Sequence, residues 1–260
     1  MRSWASIDRR RGSYRRVFRK VFQDALQSQI KPFIDDISTI DVSNTYYNEV
    51  EIDNSKVEQA YTRLYKTVAK DFAKKERETM LKAAGKPSVT KDGFDDEMEL
   101  LITEYLTTGQ VGRNIVSISE TSKEYFNKLL NDLIVEVNAE GLGYSEAQTR
   151  LRDRLTSEWH RAARYRTERI VRTEVSAASN WGSIKGVNST GLPYNKTWLA
   201  AIDERTRVGH ADANGQTVDQ YDAFTVDGEM LEYPVDPAGS AGNVINCRCS
   251  VTYQLKQMSI

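Results

Sequence analysis

The residues best suited to chemistry gather in the last third of the chain. The stretch Asp203-Glu204-Arg205-Thr206-Arg207-Val208-Gly209-His210 is followed further on by Asn246-Cys247-Arg248-Cys249. His210 is a candidate general base, metal ligand or turn-bonding ring, since imidazole changes charge near neutral pH and has two distinct nitrogens. No Ser, Cys or second His stands at a spacing that would complete a nucleophilic pair with it. Asp203 is placed to accept amide hydrogen bonds in an Asx turn and to start a short helical run displaying Arg205, Arg207 and His210.

Cys247 and Cys249 are the only cysteines. Two positions apart, they are poorly spaced for a structural disulfide and fit a reducing compartment. On a strand, Cys247, Cys249, Val251 and Tyr253 would share one face, which reads most simply as buried thiols in a core. Zinc is the one cofactor weighed. Its ligands would be His210, Cys247, Cys249 and a fourth such as Asp203 or Asp212. Two thiolates on one zinc lie roughly 3.8 Å apart, whereas alternate positions on a flat strand are ~7 Å apart. The strand would have to bend or bulge.

A third candidate sits in Arg172-Thr173-Glu174. Stepping through Ile170, Ala177, Trp181 and Ile184 puts Glu174 on or beside an apolar helical stripe. A buried carboxylate needs a partner or a raised pKa. An arginine or backbone amides are expected to meet it in an ion pair joining helix to sheet, with a catalytic acid as the alternative. The acidic pairs Glu229/Glu232 and Asp95/Asp96/Glu97 read as solvated faces. No GxGxxG after a strand, P-loop, HExxH, GxSxG or HxE…PCxxC signature occurs.

These residues must be positioned by a chain whose apolar periodicity is mostly helical. Val17, Phe18, Val21, Phe22, Ala25, Leu26 and Ile30 mark a basic amphipathic helix over Arg15–Ile30, broken at Pro32. Residues 33–55 read as a loop or short extended pieces. Further helices are expected over Lys56–Ala84, capped by Ser55 and stopped by Gly85, and over Asp92–Thr107, with Gly109 and Gly112 after it. Others follow over Ser119–Ala139, Glu146–Glu158 and Arg161–Gly186. Thr197–Ile202 and Cys247–Tyr253 read as strands within turn-rich sequence. Helices first and strands last define an α+β protein, a mainly helical N-terminal two-thirds followed by a small antiparallel sheet.

At 260 residues, with 39% hydrophobic and 28% charged residues, the chain is long enough for one or two real cores and too apolar for disorder. No run approaches a membrane span, and no apolar segment follows the N-terminal arginines. Neither a signal nor a membrane anchor is expected, and synthesis is expected in the cytoplasm. The 36 Lys+Arg and 37 Asp+Glu nearly cancel but lie in blocks. Residues 1–20 hold eight basic groups, Arg2 among them, and one acidic. Residues 144–187 are net basic and residues 188–260 net acidic. A basic arm is a solvated tail or a footprint for a polyanion.

The ordered set Arg172-Thr173-Glu174, Trp198, Asp203-Glu204-Arg205-Thr206-Arg207-Val-Gly-His210, Gly215, Phe224, Pro234-Val-Asp236-Pro237 and Asn246-Cys247-Arg248-Cys249 resembles the phage Mu F-like head morphogenesis (minor head protein) family. The resemblance covers about residues 120–260. It implies a tailed-phage structural protein, not an enzyme, present in few copies in the virion near the portal. It divides the chain into a helical region, 1–118, and the family's domain, 119–260. Implied partners are the portal protein, double-stranded DNA and a major capsid or scaffolding protein. On this view Arg9, Arg10, Arg11, Arg15, Arg16 and Arg19 would contact DNA. Alternatively Val17, Phe18, Val21, Phe22 and Leu26 would anchor the arm on a portal surface. The rival reading is a nuclease-like or nucleotidyl-modifying enzyme using Glu174, Arg205, Arg207 and His210.

Overall fold

The computed structural model describes residues 3–37, 40–43, 47, 50–87, 93–107 and 110–256, with the backbone alone for 110–117. Arg2, Asp92 and Gly109 therefore lie outside the described residues, as do 38, 39, 44–46, 48 and 49 of the segment read as a loop. The architecture is α+β: among the described residues six helices precede a small antiparallel sheet. They are α1 (Trp4–Ser28), α2 (Lys31–Asp35), α3 (Ser55–Ala83), α4 (Phe94–Thr107), α5 (Gln110–Ala139) and α6 (Tyr144–Asn188). No helix among the described residues is long and apolar enough to cross a membrane.

The N-terminal helix starts eleven residues earlier than the apolar stripe predicts. Ser3 caps it, its Oγ accepting the Ser6 amide at 3.3 Å, which satisfies one of the first-turn N–H groups. The helix carries Ile7, Arg11, Phe18 and Phe22 into the core. The buried arginine hid the stripe, because a charge at a core position breaks the apolar period on which the reading rests. Pro32 does not end structure but sits in the first turn of α2, where its missing N–H costs nothing. The two helices expected over 146–158 and 161–186 are one helix of 45 residues, α6. No Pro or Gly interrupts residues 158–161, so nothing stops the backbone ladder there.

Contacts divide the chain into two compact units, residues 1–18, 61–111 and 169–260 in one, and 19–60 with 112–168 in the other. The second unit is built on Phe126, Leu130, Leu133, Ile134 and Val137 of α5 and Ala147, Leu151, Leu155 and Trp159 of α6. Both sets recur at three- and four-residue steps, so each helix buries one face. The indole N–H of Trp159 donates to the Leu26 carbonyl at 2.9 Å, so the largest side chain of that core leaves no polar atom unpaired.

In the first unit α3 and α6 touch backbone to backbone. A Cβ on Gly182 would fall 2.2 Å from the Ala69 carbonyl oxygen, and one on Gly186 would fall 2.0 Å from that of Ala73. Gly186, expected near the helix end, thus lies inside α6 because α3 leaves no room for a side chain. Beyond α6 come β1 (Tyr194–Leu199), α7 (Val208–Asp212), β2 (Thr217–Asp219), β3 (Phe224–Val226), β4 (Glu229–Leu231), α8 (Ala241–Val244) and β5 (Ser250–Leu255). β1 is the centre of a three-stranded antiparallel sheet in the order β2-β1-β5, and β3-β4 form a separate hairpin. Asn195 faces Asp219 on one side, and Trp198 faces Val251 on the other. The first strand is set three residues earlier than expected, and Cys247 and Cys249 precede β5 rather than lying on it.

Replacing Gly182 or Gly186 by Ala should lower unfolding stability by about 1–3 kcal/mol or more, since the helix backbones must move apart. Gly143→Ala, with open space around it, should change stability far less. Urea denaturation of the three variants reads the difference.

Candidate functional site

Residues expected from the sequence to do chemistry converge on the segment Ile245–Cys249. Asn246 has φ +60°, a left-handed conformation that Asn tolerates better than most residues. This bend removes the objection that strand geometry raised against a shared site for the two thiols. His210 Nδ1 lies 3.5 Å from Cys247 Sγ and 3.4 Å from Cys249 Sγ. The three potential ligand atoms fall within 4.8 Å of one another, and all three residues are buried. Neither Asp203 nor Asp212 belongs to that group.

Every wall of this segment is tied. On one side Asp203 accepts the Arg205 amide at 3.0 Å, the expected Asx turn, and takes a two-pronged ion pair from Arg248 at 2.5 Å. That pairing holds the Asp203 carboxyl well below its ordinary range. Arg207 donates to the Ile245 carbonyl at 2.6 Å, and Thr173 Oγ1 of α6 accepts the Asn246 amide at 3.0 Å. Trp4 of α1 donates its indole N–H to the Arg248 carbonyl at 2.9 Å. His210 stands edge-on to Trp198, with ring centres 6.0 Å apart. Arg205 is exposed and Arg172 half-buried on α6.

Arg11 does what no reading of the sequence assigned to it. It is 1% exposed, and its guanidinium donates to Ser179 Oγ at 2.6 Å, Asn180 Oδ1 at 2.6 Å and the carbonyl oxygens of Cys249 and Arg248 at 3.0 and 3.2 Å. Burial lowers its pKa to about 10, so it stays charged at neutral pH. It cannot contact DNA. The other expected DNA contacts divide. Arg10 pairs with Asp71, Arg15 with Asp8 and Arg19 with Glu168 at 2.5–2.6 Å, while Arg9 and Arg16 are exposed. Phe18, Phe22 and Leu26, offered as anchors for a partner, are buried in the chain's own cores. Val21 is half-buried, and Val17, at 54% exposure, faces solvent.

Glu174 is buried as the helical stripe predicts, but tyrosines meet it instead of an arginine. Tyr65 donates to its carboxylate at 3.1 Å, and no ion pair to Glu174 forms among the described residues. Desolvation raises its pKa to about 7, with the Tyr65 and Tyr61 hydroxyls opposing the shift. Tyr65 lies beside Tyr105 and Trp181, which stack with ring centres 4.5 Å apart. No spacing rule could have found the tyrosines, which come from α3. Of the cysteine pair, the Cys247 thiol donates toward Cys249. That bond holds the Cys249 sulfur low, while it and burial push Cys247 up.

Residues 128–252 match the family described as Phage Mu protein F like protein. One curated relative is the NAD(+)--arginine ADP-ribosyltransferase EFV of Enterococcus faecalis (strain ATCC 700802 / V583). It is 31% identical over 114 residues, which cover 43% of this chain and 22% of that protein. The chain thus matches about a fifth of that relative's length. No solved structure matches.

Two outcomes follow. Arg11→Met should cost about 3–5 kcal/mol, because it strips partners from buried carbonyls and hydroxyls, whereas Arg9→Met should lie within about 0.5 kcal/mol of the parent. Chemical denaturation measures both. Glu174 has a folded pKa raised above its unfolded value, so the folded state binds the extra proton and stability declines as pH rises from about 4.5 to 7. Glu174→Gln removes that term. Its stability relative to the parent should therefore rise across this window by up to about 3 kcal/mol and level off above it, read by thermal melts at stepped pH.

Proposed function

We propose that the protein is a head-morphogenesis protein of a tailed phage, a minor head component working at the portal vertex without catalysis. The single observation behind this reading is the match of residues 128–252 to the Mu F-like family. The site chemistry agrees with it. Glu174, Arg205, Arg207 and His210, the set an enzyme would need, are engaged separately or open to solvent. Glu174 is closed in by tyrosines and His210 by Asn243 and the cysteines. Thr173, Asp203, Arg207 and Arg248 spend their polar groups on holding the 245–249 segment. The transferase activity in the name of the Enterococcus relative belongs to that protein, most of which has no counterpart in the alignment.

As partners we propose the portal protein and packaged or ejected double-stranded DNA, met through the exposed side of α1. Arg9, Arg16 and Val17 are the side chains of the expected contact set exposed there without an ion pair among the described residues, and Arg19 is exposed but paired with Glu168. The helix offers them as fixed points rather than as a loose tail, which lowers the ordering cost of binding.

Quantitative mass spectrometry of purified particles from the parent phage tests the reading. The expected result is a few copies per particle, comparable with portal and far below the major capsid protein; absence from particles overturns it. For DNA, Arg9→Glu with Arg16→Glu should weaken binding to random duplex and flatten its log-log salt dependence by about 2, one counterion per lost phosphate contact. An unchanged slope would direct the same surface to the portal.

A further inference from the structure

We propose that His210 Nδ1, Cys247 Sγ and Cys249 Sγ bind a zinc ion, with a water molecule as the fourth ligand. The assignment stands on geometry and does not depend on the phage reading. In a tetrahedral site with Zn–N of about 2.05 Å and Zn–S of about 2.3 Å, nitrogen and sulfur ligands lie ~3.6 Å apart. The two distances from Nδ1 are 3.5 and 3.4 Å. An imidazole nitrogen has one lone pair and accepts one S–H, yet two sulfurs stand almost equally close to it.

The ring is held in the tautomer that a metal requires. Nε2 faces Asn243 Oδ1 at 3.1 Å, and the Asn243 amide nitrogen reaches the Val226 carbonyl at 3.4 Å. The amide oxygen is therefore turned to the ring, Nε2 carries the hydrogen, and Nδ1 presents its lone pair to the sulfurs. An outer hydrogen bond of this kind is the usual support of a metal-bound histidine. The cysteines are presented as firmly. The left-handed Asn246 turns the chain, Thr173 holds its amide, and Arg11 holds the Cys249 carbonyl. Two thiolates cancel the charge of a divalent ion, which a site this buried demands.

The fourth position has a place and a neighbour. A cleft of about 20 Å³ adjoins the cluster, lined also by Ala201, Arg205, Thr206, Arg207 and Asn246, enough for one water. Asn246 Oδ1 is buried there with no hydrogen-bond partner among the described residues. A mixed nitrogen–sulfur set of this size suits zinc, whereas iron–sulfur clusters need more thiolates and hard cations prefer oxygen. The ion's role is to pin α7 to the 245–249 segment, so that binding adds directly to folding.

The test uses the full chain, purified without chelator. Elemental analysis should find about one zinc per chain. Replacing it by cobalt(II) should give the visible d–d bands of a tetrahedral site and a sulfur-to-cobalt charge-transfer band. Cys247→Ser, Cys249→Ser and His210→Ala should each lose the cobalt spectrum, while a change at the exposed Asp212, Asp212→Asn, keeps it. Should the ligand variants fail to fold, Asn243→Ala and the parent chain carry the test. Asn243→Ala should bind zinc about 10–100-fold more weakly. In the parent, a strong chelator should make both thiols reactive and lower the melting temperature. A chain that holds no zinc and gives no cobalt bands overturns the proposal. So does one that holds copper instead, or one whose mass shows a Cys247–Cys249 disulfide.

Discussion

A single buried guanidinium sets the terms for the C-terminal half of this protein. Arg11 is removed from water and forms no ion pair among the described residues, so its charge is tolerable only if every donor has an acceptor. Ser179 and Asn180 must present oxygens from one turn of α6, and the chain at Arg248–Cys249 must turn two successive carbonyls inward. Asn180 serves twice, its amide nitrogen reaching the Pro234 and Cys249 carbonyls while its oxygen faces Arg11. Helix, hairpin connection and cysteine segment are thereby fixed against one another through one side chain. The first residues of α1 become part of a core they share with α3 and the last third of the chain.

This arrangement gives the residues that mark the Mu F-like segment a common physical task. Thr173, Asp203, Arg207, His210 and the arginine between the cysteines meet around one short, irregular stretch that has no ladder of its own to satisfy its backbone. Side chains supply what a sheet would otherwise provide. Trp198 and Phe224 close the apolar side, with ring centres 5.3 Å apart. Polar residues here do the work of architecture, and the same density that reads in sequence as an active site comes from backbone groups needing partners.

The helices, their order and the closing antiparallel sheet were legible because period and turn residues act locally: Gly85, at φ +67°, stops α3 as expected, while at the other end Ser55 is the first helical residue, its amide held by Asp53, rather than the cap. What escaped were features in which a distant partner decides. Arg11 reads as a DNA contact until the acceptors of α6 are folded against it, and Phe18 and Phe22 read as free anchors until a core covers them. Glu174 was rightly placed on a buried stripe, but its tyrosines lie more than a hundred residues away in sequence. The cysteine pair reads in sequence as part of an ideal strand. One residue in the left-handed region, Asn246, changes which atoms can meet, and no periodicity announces it. β2, β3 and β4, each three residues long, are too short for alternation to register.

The tie between α1 and the segment before β5 has a consequence for synthesis on the ribosome. The bonds from Trp4 and Arg11 to Arg248 and Cys249 join residues 237–244 positions apart, among the most non-local contacts a chain of this length can make. A nascent chain exposes Arg11 to water, where it is well solvated, until the segment before β5 has been made and has left the exit tunnel. The first unit therefore completes its core only after translation has passed its last strand, and slow loop closure rather than helix formation governs that step. A chain interrupted before that point retains a hydrated, positively charged helix at its N-terminus and lacks the acceptors needed to bury it.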